Sequence, residues 1–196
     1  MEYSTSNVRK PNVICNKNDI ILIKNKGTKG TEFIISFLLR NPNINIANMV
    51  NLKLYELMIK LNNDIIHDFK LVNKYSEESA DFLITFNPIG SLFGISQRFM
   101  YTNVEIKKEN NTIILCNKSI PIDGNIKHFL NNKWEELKNI GSRLTVELLT
   151  ENIAKFNFTF YIDKSEELPT CMENVVGLLC KSSLLSVKTF IENTKM

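Results

Sequence analysis

Alternating apolar and polar residues recur along much of the sequence and indicate β-strands. A short apolar run from Asp19 to Lys24 and a longer run from Phe33 to Arg40 flank a turn that contains Gly27 and Gly30. Alternate positions of the longer run place four large apolar side chains on one side, namely Phe33, Ile35, Phe37 and Leu39. The two runs therefore predict a β-hairpin.

The spacing of apolar residues then changes to steps of three and four, which is typical of an amphipathic helix. The apolar positions are Ile46, Met49, Val50, Leu54, Leu57, Met58 and Leu61. Asn45 is a candidate N-cap residue, and we expect the helix to end near Asn62 and Asn63.

A series of strand-like segments follows, joined by short polar turns, which favours an antiparallel sheet. The segments are His67 to Tyr75, Asp81 to Phe86, Arg98 to Ile106, Thr112 to Ile120, Arg143 to Thr150 and Lys155 to Asp163. In the last segment Phe156, Phe158, Phe160 and Ile162 share one side, and Lys155, Asn157 and Thr159 share the other. For Ile126 to Ile140 two interpretations stay open: a strand pair with an irregular loop, or a short helix around Trp134 to Leu137.

The sequence ends in a long helical pattern. Acidic residues and Pro169 at its start suit the first turn of a helix. The expected apolar stripe is Met172, Val175, Val176, Leu179, Ser183, Val187, Phe190 and Ile191, with Glu173, Lys181, Lys188 and Glu192 elsewhere. Gly177 lies inside this helix, where it leaves room for a neighbouring group or a ligand.

Composition and charge narrow the function. The formal net charge of +3 comes from 24 basic and 21 acidic residues without a basic stripe, which argues against nucleic-acid binding. Cys15, Cys116, Cys171 and Cys180 lack metal-site spacing, so we expect free thiols in a reducing compartment and no bound metal. The N-terminal segment lacks the apolar core of a signal peptide, and no apolar run approaches the roughly 20 residues of a membrane span. A cytoplasmic, soluble protein is therefore expected.

Catalytic signatures are not found. His67 and His128 are far apart, and Asp68 beside His67 would face the opposite side of a strand. Gly27 and Gly30 lie in a hairpin turn rather than in the strand-to-helix setting of a phosphate-binding loop. The prediction is a protein that is not an enzyme and needs no cofactor.

Several segments resemble the StAR-related lipid-transfer (START) family, of the helix-grip or Bet v 1-like superfamily. They are DIILIKNK, DFKLVNKYSEESADFLITFNPI, GSLFGISQRFMYTNVEI, TIILCNKSIP and the ELP that precedes the last helix. Of the family's Arg-Asp-Phe signature, this chain keeps Phe99 and has Gln97 and Arg98 at the other two positions. The resemblance extends from Asn18 to Asn193, with residues 1–17 as an N-terminal arm and residues 18–196 as the lipid-binding domain.

The resemblance implies an α+β helix-grip fold, in which a curved antiparallel sheet wraps around the long C-terminal helix. It implies an internal apolar cavity that holds one phospholipid, sterol or similar amphiphile and transfers it between membranes. The expected protein is a monomer that touches membranes transiently, and the terminal helix or the loop from Ile122 to Asn132 would move to admit the lipid. Many family members have an arginine that points into the cavity at the position of Asn103 in this chain. Because this arginine is absent, the resemblance does not imply a particular lipid headgroup.

The candidate ligand-binding residues lie on three predicted strands and on the terminal helix. Polar candidates are placed beside aromatic ones because a lipid site needs a few polar groups in an apolar wall. The full set is Phe99, Tyr101, Asn103, Glu105, Asn117, Phe156, Phe158, Phe160, Met172, Val176, Leu179 and Ser183.

Two alternatives stay open. A helix-grip scaffold with a closed cavity would serve as a protein-interaction or regulatory module, and a solidly packed interior would favour it. An enzyme of the wider superfamily, such as an aromatase/cyclase, would need acid and base groups clustered in the pocket, and the sequence has no such cluster.

Overall fold

The structure is a computed structural model and describes residues 12–88, 96–122, 124–130, 133–137, 141–166 and 170–195. The strands are β1 (Asn12–Lys17), β2 (Ile20–Lys26), β3 (Gly30–Arg40), β4 (Ile66–Lys74), β5 (Ser79–Phe86), β6 (Arg98–Glu109), β7 (Thr112–Ser119), β8 (Glu135–Glu136), β9 (Gly141–Thr150) and β10 (Ile153–Asp163). The helices are α1 (Ile46–Met49), α2 (Leu52–Lys60), α3 (Gly124–Lys127) and α4 (Thr170–Asn193). Residues 1–11, the Leu-Pro entry to the last helix and part of the loop before β6 lie outside the described residues.

The strands form one sheet in the order β1-β2-β3-β10-β9-β7-β6-β5-β4, and every pairing along this path is antiparallel. The short β8 pairs parallel with the start of β6. One face of the sheet, called here the inner face, carries α2 and α4, which contact each other and the sheet. The expected helix-grip arrangement is confirmed, and β1 extends the sheet into the segment that the sequence assigned to the N-terminal arm.

Stacked aromatic rings join β3 to β10 on the inner face of the sheet. Phe33 stacks on Phe160 with ring centroids 4.8 Å apart, and Phe37 stacks on Phe156 at 5.1 Å. Phe33 is fully buried, as expected for aromatic pairs that bridge neighbouring strands. The alternation predicted for β10 is therefore present, with its apolar side against the core.

The predicted single helix after the hairpin is two helices. Asn51 adopts an extended backbone between α1 and α2, and its side chain accepts hydrogen bonds from the main-chain nitrogens of Lys53 (2.9 Å) and Leu54 (3.3 Å). Asn45, the expected cap, makes no side-chain cap bond. A second helix therefore begins at an asparagine N-cap inside the apolar pattern. The spacing of apolar residues by three and four does not reveal this interruption.

Helix α4 is rotated relative to the predicted stripe. The expected Val175 and Phe190 are about 40 % exposed, whereas Lys181, which was placed elsewhere, is only 8 % exposed. The reason is the close approach of the helix to Phe33 at Gly177, where an added Cβ atom would lie 2.7 Å from Phe33 Cε1. This contact fixes which side of the helix meets the sheet. The buried side runs through Gly177, Lys181, Leu184, Val187 and Ile191.

Both ends of α4 are bonded to the sheet. In its first turns, Lys24 Nζ lies 2.7 Å from Glu173 Oε2 and donates to Asn174 Oδ1 at 2.7 Å. At its last turn, the buried Asn41 donates from Nδ2 to the main-chain oxygens of Ile191 (2.6 Å) and Thr194 (2.9 Å). At the C-terminal end the Asn41 side chain thus satisfies a helix carbonyl, that of Ile191, which would otherwise lack a partner.

By length and composition alone, the part of α4 from Met172 to Asn193 is long and apolar enough to cross a membrane. No other helix in the described ranges meets this criterion. The sequence predicted no such segment because it has no unbroken apolar run of this length, and α4 contains scattered polar residues. In the structure this helix packs on the inner face through its buried side.

The outer face of the sheet is covered in part by described residues between β7 and β8, namely Ile120, Ile122, Ile126, Leu130 and Trp134. Ile126 is buried against Leu83, Phe99 and Tyr101 in a second, smaller apolar cluster. The main-chain nitrogen of Ile120 donates to Tyr101 O at 3.1 Å, and that of Glu135 donates to Gln97 O at 2.9 Å. The interpretation with a short helix around Trp134 to Leu137 is wrong, because Glu135 and Glu136 form β8 and the helix of this region is the earlier α3. Trp134 packs on the cluster from outside a helix.

A buried carboxylate lies on the outer face beside this cluster. Asp81, 2 % exposed, accepts hydrogen bonds from Tyr75 Oη (2.5 Å), Asn103 Nδ2 (2.8 Å) and Asn73 Nδ2 (3.1 Å). Burial raises the pKa of Asp81, but the bonds from Tyr75, Asn103, Asn73 and Tyr101 outweigh it and hold this pKa below its ordinary value of 3.8.

Because its pKa is lowered on folding, the Asp81 carboxylate contributes stability above about pH 4 that is lost as the pH falls through the folded-state pKa. We expect Asp81→Asn to lower the free energy of unfolding by about 1–2 kcal/mol at neutral pH, since donors lose their charged acceptor. The variant should also lose less stability than the wild type on acidification. Urea unfolding across acidic and neutral pH measures both effects. Equal acid sensitivity of wild type and variant would contradict the assigned role, and the exposed Asp64→Asn serves as the control.

Candidate functional site

A pocket of about 270 Å³ lies between the inner face of the sheet, α2 and α4. Its walls are mostly aliphatic and aromatic, as in sites for apolar ligands. The lining residues are Tyr55, Met58, Ile59, Asn62, Ile65, Ile66, Ile84, Phe86, Met100, Asn117, Leu137, Ser142, Phe158, Phe160, Ile162, Val176, Cys180, Ser183 and Leu184.

The pocket occupies one end of the inner face. It is lined where β5 ends at Phe86, where β9 begins near Ser142 and where β10 approaches its end at Ile162. At the other end of the same face, Leu39 and Ile191 are almost fully buried in the main core. The interior is therefore packed at one end and hollow at the other.

One polar group of residues interrupts the apolar wall. Asn117 Nδ2 donates to Tyr55 Oη at 2.9 Å. The fully buried Thr102 shares its single hydroxyl hydrogen between Asn117 Oδ1 and, at 2.8 Å, the main-chain oxygen of Lys118. Ser142 lies directly opposite Asn117 on the neighbouring strand, β9. These residues come from α2, β6, β7 and β9, and only the folded sheet brings them together.

The described lining residues carry no charged side chain. Burial raises the pKa of Tyr55 well above its ordinary value of 10.0 and that of the Cys180 thiol to about 12. Both groups are therefore neutral at physiological pH, and Cys180 lacks the thiolate that a nucleophilic cysteine needs. Within the described ranges there is also no cluster of three His, Cys, Asp or Glu residues able to hold a metal ion. Cys15, Cys116 and Cys180 are free thiols.

Five of the twelve candidate residues line the pocket, namely Asn117, Phe158, Phe160, Val176 and Ser183. Phe156 is on the same face but lies in the packed part of the core against Phe37. Met172 and Leu179 are half-buried on α4 and are not among the lining residues.

The four candidates on β6 face away from the pocket. Phe99 and Tyr101 belong to the outer cluster, Asn103 bonds Asp81 there, and Glu105 shares their side of the strand. The inner side of β6 carries Met100 and Thr102 instead. Both sides of this strand are buried because the segment around α3 covers the outer face, so alternation alone does not tell inside from outside.

Several lining residues were not among the candidates. Tyr55, Met58 and Ile59 lie on α2, whose apolar pattern indicated a core-facing helix but not a pocket wall. A tyrosine next to the predicted stripe is the one signal in that pattern for a polar group aimed inward. Ser142 and Cys180 carry no recognisable pattern.

Comparison with solved structures identifies the fold. The human StarD13 lipid transfer and protein localization domain matches with a TM-score of 0.69 and 12 % identity, covering 94 % of this chain and 90 % of that one. The STAR-related lipid transfer protein from Xanthomonas axonopodis matches with a TM-score of 0.67 and 10 % identity, covering 92 % and 98 %. Human StAR-related lipid transfer protein 5 matches with a TM-score of 0.63 and 12 % identity, covering 94 % and 86 %. No protein-family model matches the sequence, and neither does any curated protein. The chain thus has a START-like helix-grip fold.

Proposed function

We propose that this protein binds one lipid or similar amphiphile in the inner pocket and carries it between membranes. The observation that carries the proposal is a pocket between the sheet, α2 and α4 whose described lining is largely apolar and has no charged side chain. The names of the structurally similar proteins, which describe lipid transfer, support it as an analogy of fold. Each methylene group moved from water into such a pocket contributes about 0.8 kcal/mol, so affinity needs no charged partner.

Contact with a membrane is part of the proposal. Val175, Leu178 and Phe190 are each about 40–45 % exposed on the side of α4 that faces away from the sheet. Exposed apolar side chains of this kind insert into the interface of a bilayer, and the formal charge of +3 adds weak attraction to anionic lipids. The protein would act as a cytoplasmic monomer that visits membranes, without a cofactor or a covalent step.

The second candidate is a helix-grip scaffold that serves protein interaction or regulation. The observation that favours it is the size of the pocket, which is just below the range of about 300–1,000 Å³ common for small-molecule sites. Native mass spectrometry of the purified protein, with extraction of bound lipid, separates the two. A defined lipid at one per chain supports the carrier, and a protein that stays bare after incubation with mixed liposomes supports the scaffold.

Filling the pocket should weaken lipid binding. Ser183 lines the pocket, and Ser182 beside it is exposed. We expect Ser183→Phe to lower lipid affinity at least about tenfold, because the ring displaces the equivalent of about two methylene groups of ligand. Ser182→Phe, with the same change in composition, should bind lipid like the wild type. The measurement is equilibrium binding of a soluble single-chain lipid without liposomes, because Ser182 lies on the side of α4 proposed to contact membranes. Equal binding by both variants would place the binding site elsewhere.

A further inference from the structure

The polar residues inside the pocket form a connected hydrogen-bonded group rather than isolated side chains. Thr102 is fully buried and Asn117 is only 9 % exposed, and the two are bonded to each other. Asn117 in turn bonds Tyr55 Oη, and both Asn117 and Tyr55 line the pocket. Buried polar groups without hydrogen-bond partners are costly. A hydrogen-bonded set of polar side chains in an apolar wall therefore marks a place where a ligand can supply further hydrogen bonds.

The group has hydrogen-bonding capacity left for a ligand. The Tyr55 hydroxyl accepts the bond from Asn117, and within the described ranges no acceptor is found for its own hydrogen. Asn117 also has a second amide hydrogen, and the Ser142 hydroxyl lies opposite it on β9. Tyr55 stays protonated because burial raises its pKa, so the hydroxyl donates at physiological pH.

The charge of the surroundings selects the ligand's polar group. The described lining residues contain tyrosine, asparagine, serine and cysteine as polar types, and no lysine, arginine, histidine, aspartate or glutamate. An ionised carboxylate or phosphate would lose its hydration there without meeting a counter-charge. A hydroxyl group, which both donates and accepts, matches the available partners.

We propose that Tyr55, Asn117 and Ser142 form a subsite for the hydroxyl group of a neutral, single-chain amphiphile. This inference rests on the proposed lipid-binding function and adds the ligand's chemical class. The pocket volume of about 270 Å³ suits one hydrocarbon chain or a small ring system, because a two-chain lipid is several times larger. The hydroxyl end would lie deep in the pocket, with the hydrocarbon part between α2, α4 and the phenylalanines of β10.

Three probes with ten carbons each test the subsite, namely decanol, decane and decanoate. Their affinities are measured by displacement of a fluorescent apolar dye from the wild-type protein and from Tyr55→Phe. Tyr161→Phe is the matched control, because Tyr161 is not among the lining residues and its hydroxyl makes no hydrogen bond within the described ranges. Thermal unfolding of each variant verifies that it is folded.

We expect Tyr55→Phe to weaken decanol binding about tenfold and to leave decane binding unchanged. At neutral pH the wild type should bind decanol more tightly than decanoate, and Tyr161→Phe should behave like the wild type. An equal effect of Tyr55→Phe on decanol and decane, or tighter binding of decanoate than of decanol, overturns the subsite while lipid binding stands. Binding of none of the three probes overturns both the subsite and the proposed function.

Discussion

Replacing Lys24 with methionine is expected to lower the free energy of unfolding by about 3 kcal/mol. The Lys24 side chain is 3 % exposed and lies 2.7 Å from Glu173 Oε2, while the Glu173 side chain is 16 % exposed. Removing the ammonium group leaves a mostly buried carboxylate with Lys26, 3.7 Å away and largely in solvent, as its remaining ion-pair neighbour. Breaking one half of such a pair is much more damaging than never having it.

Urea unfolding of the purified variants measures this effect. Lys26→Met is the matched control, and because its side chain is 55 % exposed we expect a change of at most about 0.5 kcal/mol. The double variant Lys24→Met with Glu173→Met should recover most of the loss, since no buried charge is then left without a partner. A small effect of Lys24→Met, similar to that of Lys26→Met, would show that the pair does not hold α4 on the sheet.

Replacing Gly177 with valine is expected to destabilise the protein by about 3 kcal/mol. Its Cβ atom would lie 2.7 Å from Phe33 Cε1 and 2.9 Å from Phe33 Cδ1. The Phe33 ring has little freedom to move, because it is fully buried and stacked on Phe160. The helix must therefore shift away from the sheet, which opens gaps along its buried side.

Gly124→Val in α3 is the matched control, since a Cβ atom there would meet nothing within 4 Å. Thermal unfolding should show Gly124→Val close to the wild type and Gly177→Val well below it. Replacing the opposing ring with a smaller side chain in Phe33→Leu should make the loss of stability caused by Gly177→Val smaller than it is in the wild type. Equal melting temperatures for the two glycine variants would contradict the close contact.

The sequence predicted much of the fold because alternation and helical spacing are local properties. The side chains of β10 alternate as expected, and the hairpin strands β2 and β3 pair with Ile20 opposite Phe37. The break at Asn51 was missed because a side-chain cap in an apolar pattern depends on the backbone angles of one residue. The rotation of α4 was also missed, because the contact between Gly177 and Phe33 joins residues far apart in the chain.

The candidate site was predicted less completely, for a related reason. Alternation places Phe99 and Tyr101 together on one side of β6, but which side faces the pocket depends on what covers the other side. The polar group needs Tyr55 from α2 and Asn117 from β7, whose meeting is a result of strand order. Ser183 and Val176 were identified because they share the spacing of the terminal helix with residues that face inward.

The bonds that hold both ends of α4 have a consequence for the time a lipid would remain bound. Detaching the first turns of this helix breaks the pair between Lys24 and Glu173, and detaching its last turn breaks the bonds of Asn41. If release of the ligand requires either event, the dissociation rate falls about tenfold for each 1.4 kcal/mol that the opening costs, whatever the equilibrium affinity. A ligand bound with modest affinity would then still have a long residence time, and contact with a membrane that loosens one end of α4 would shorten it.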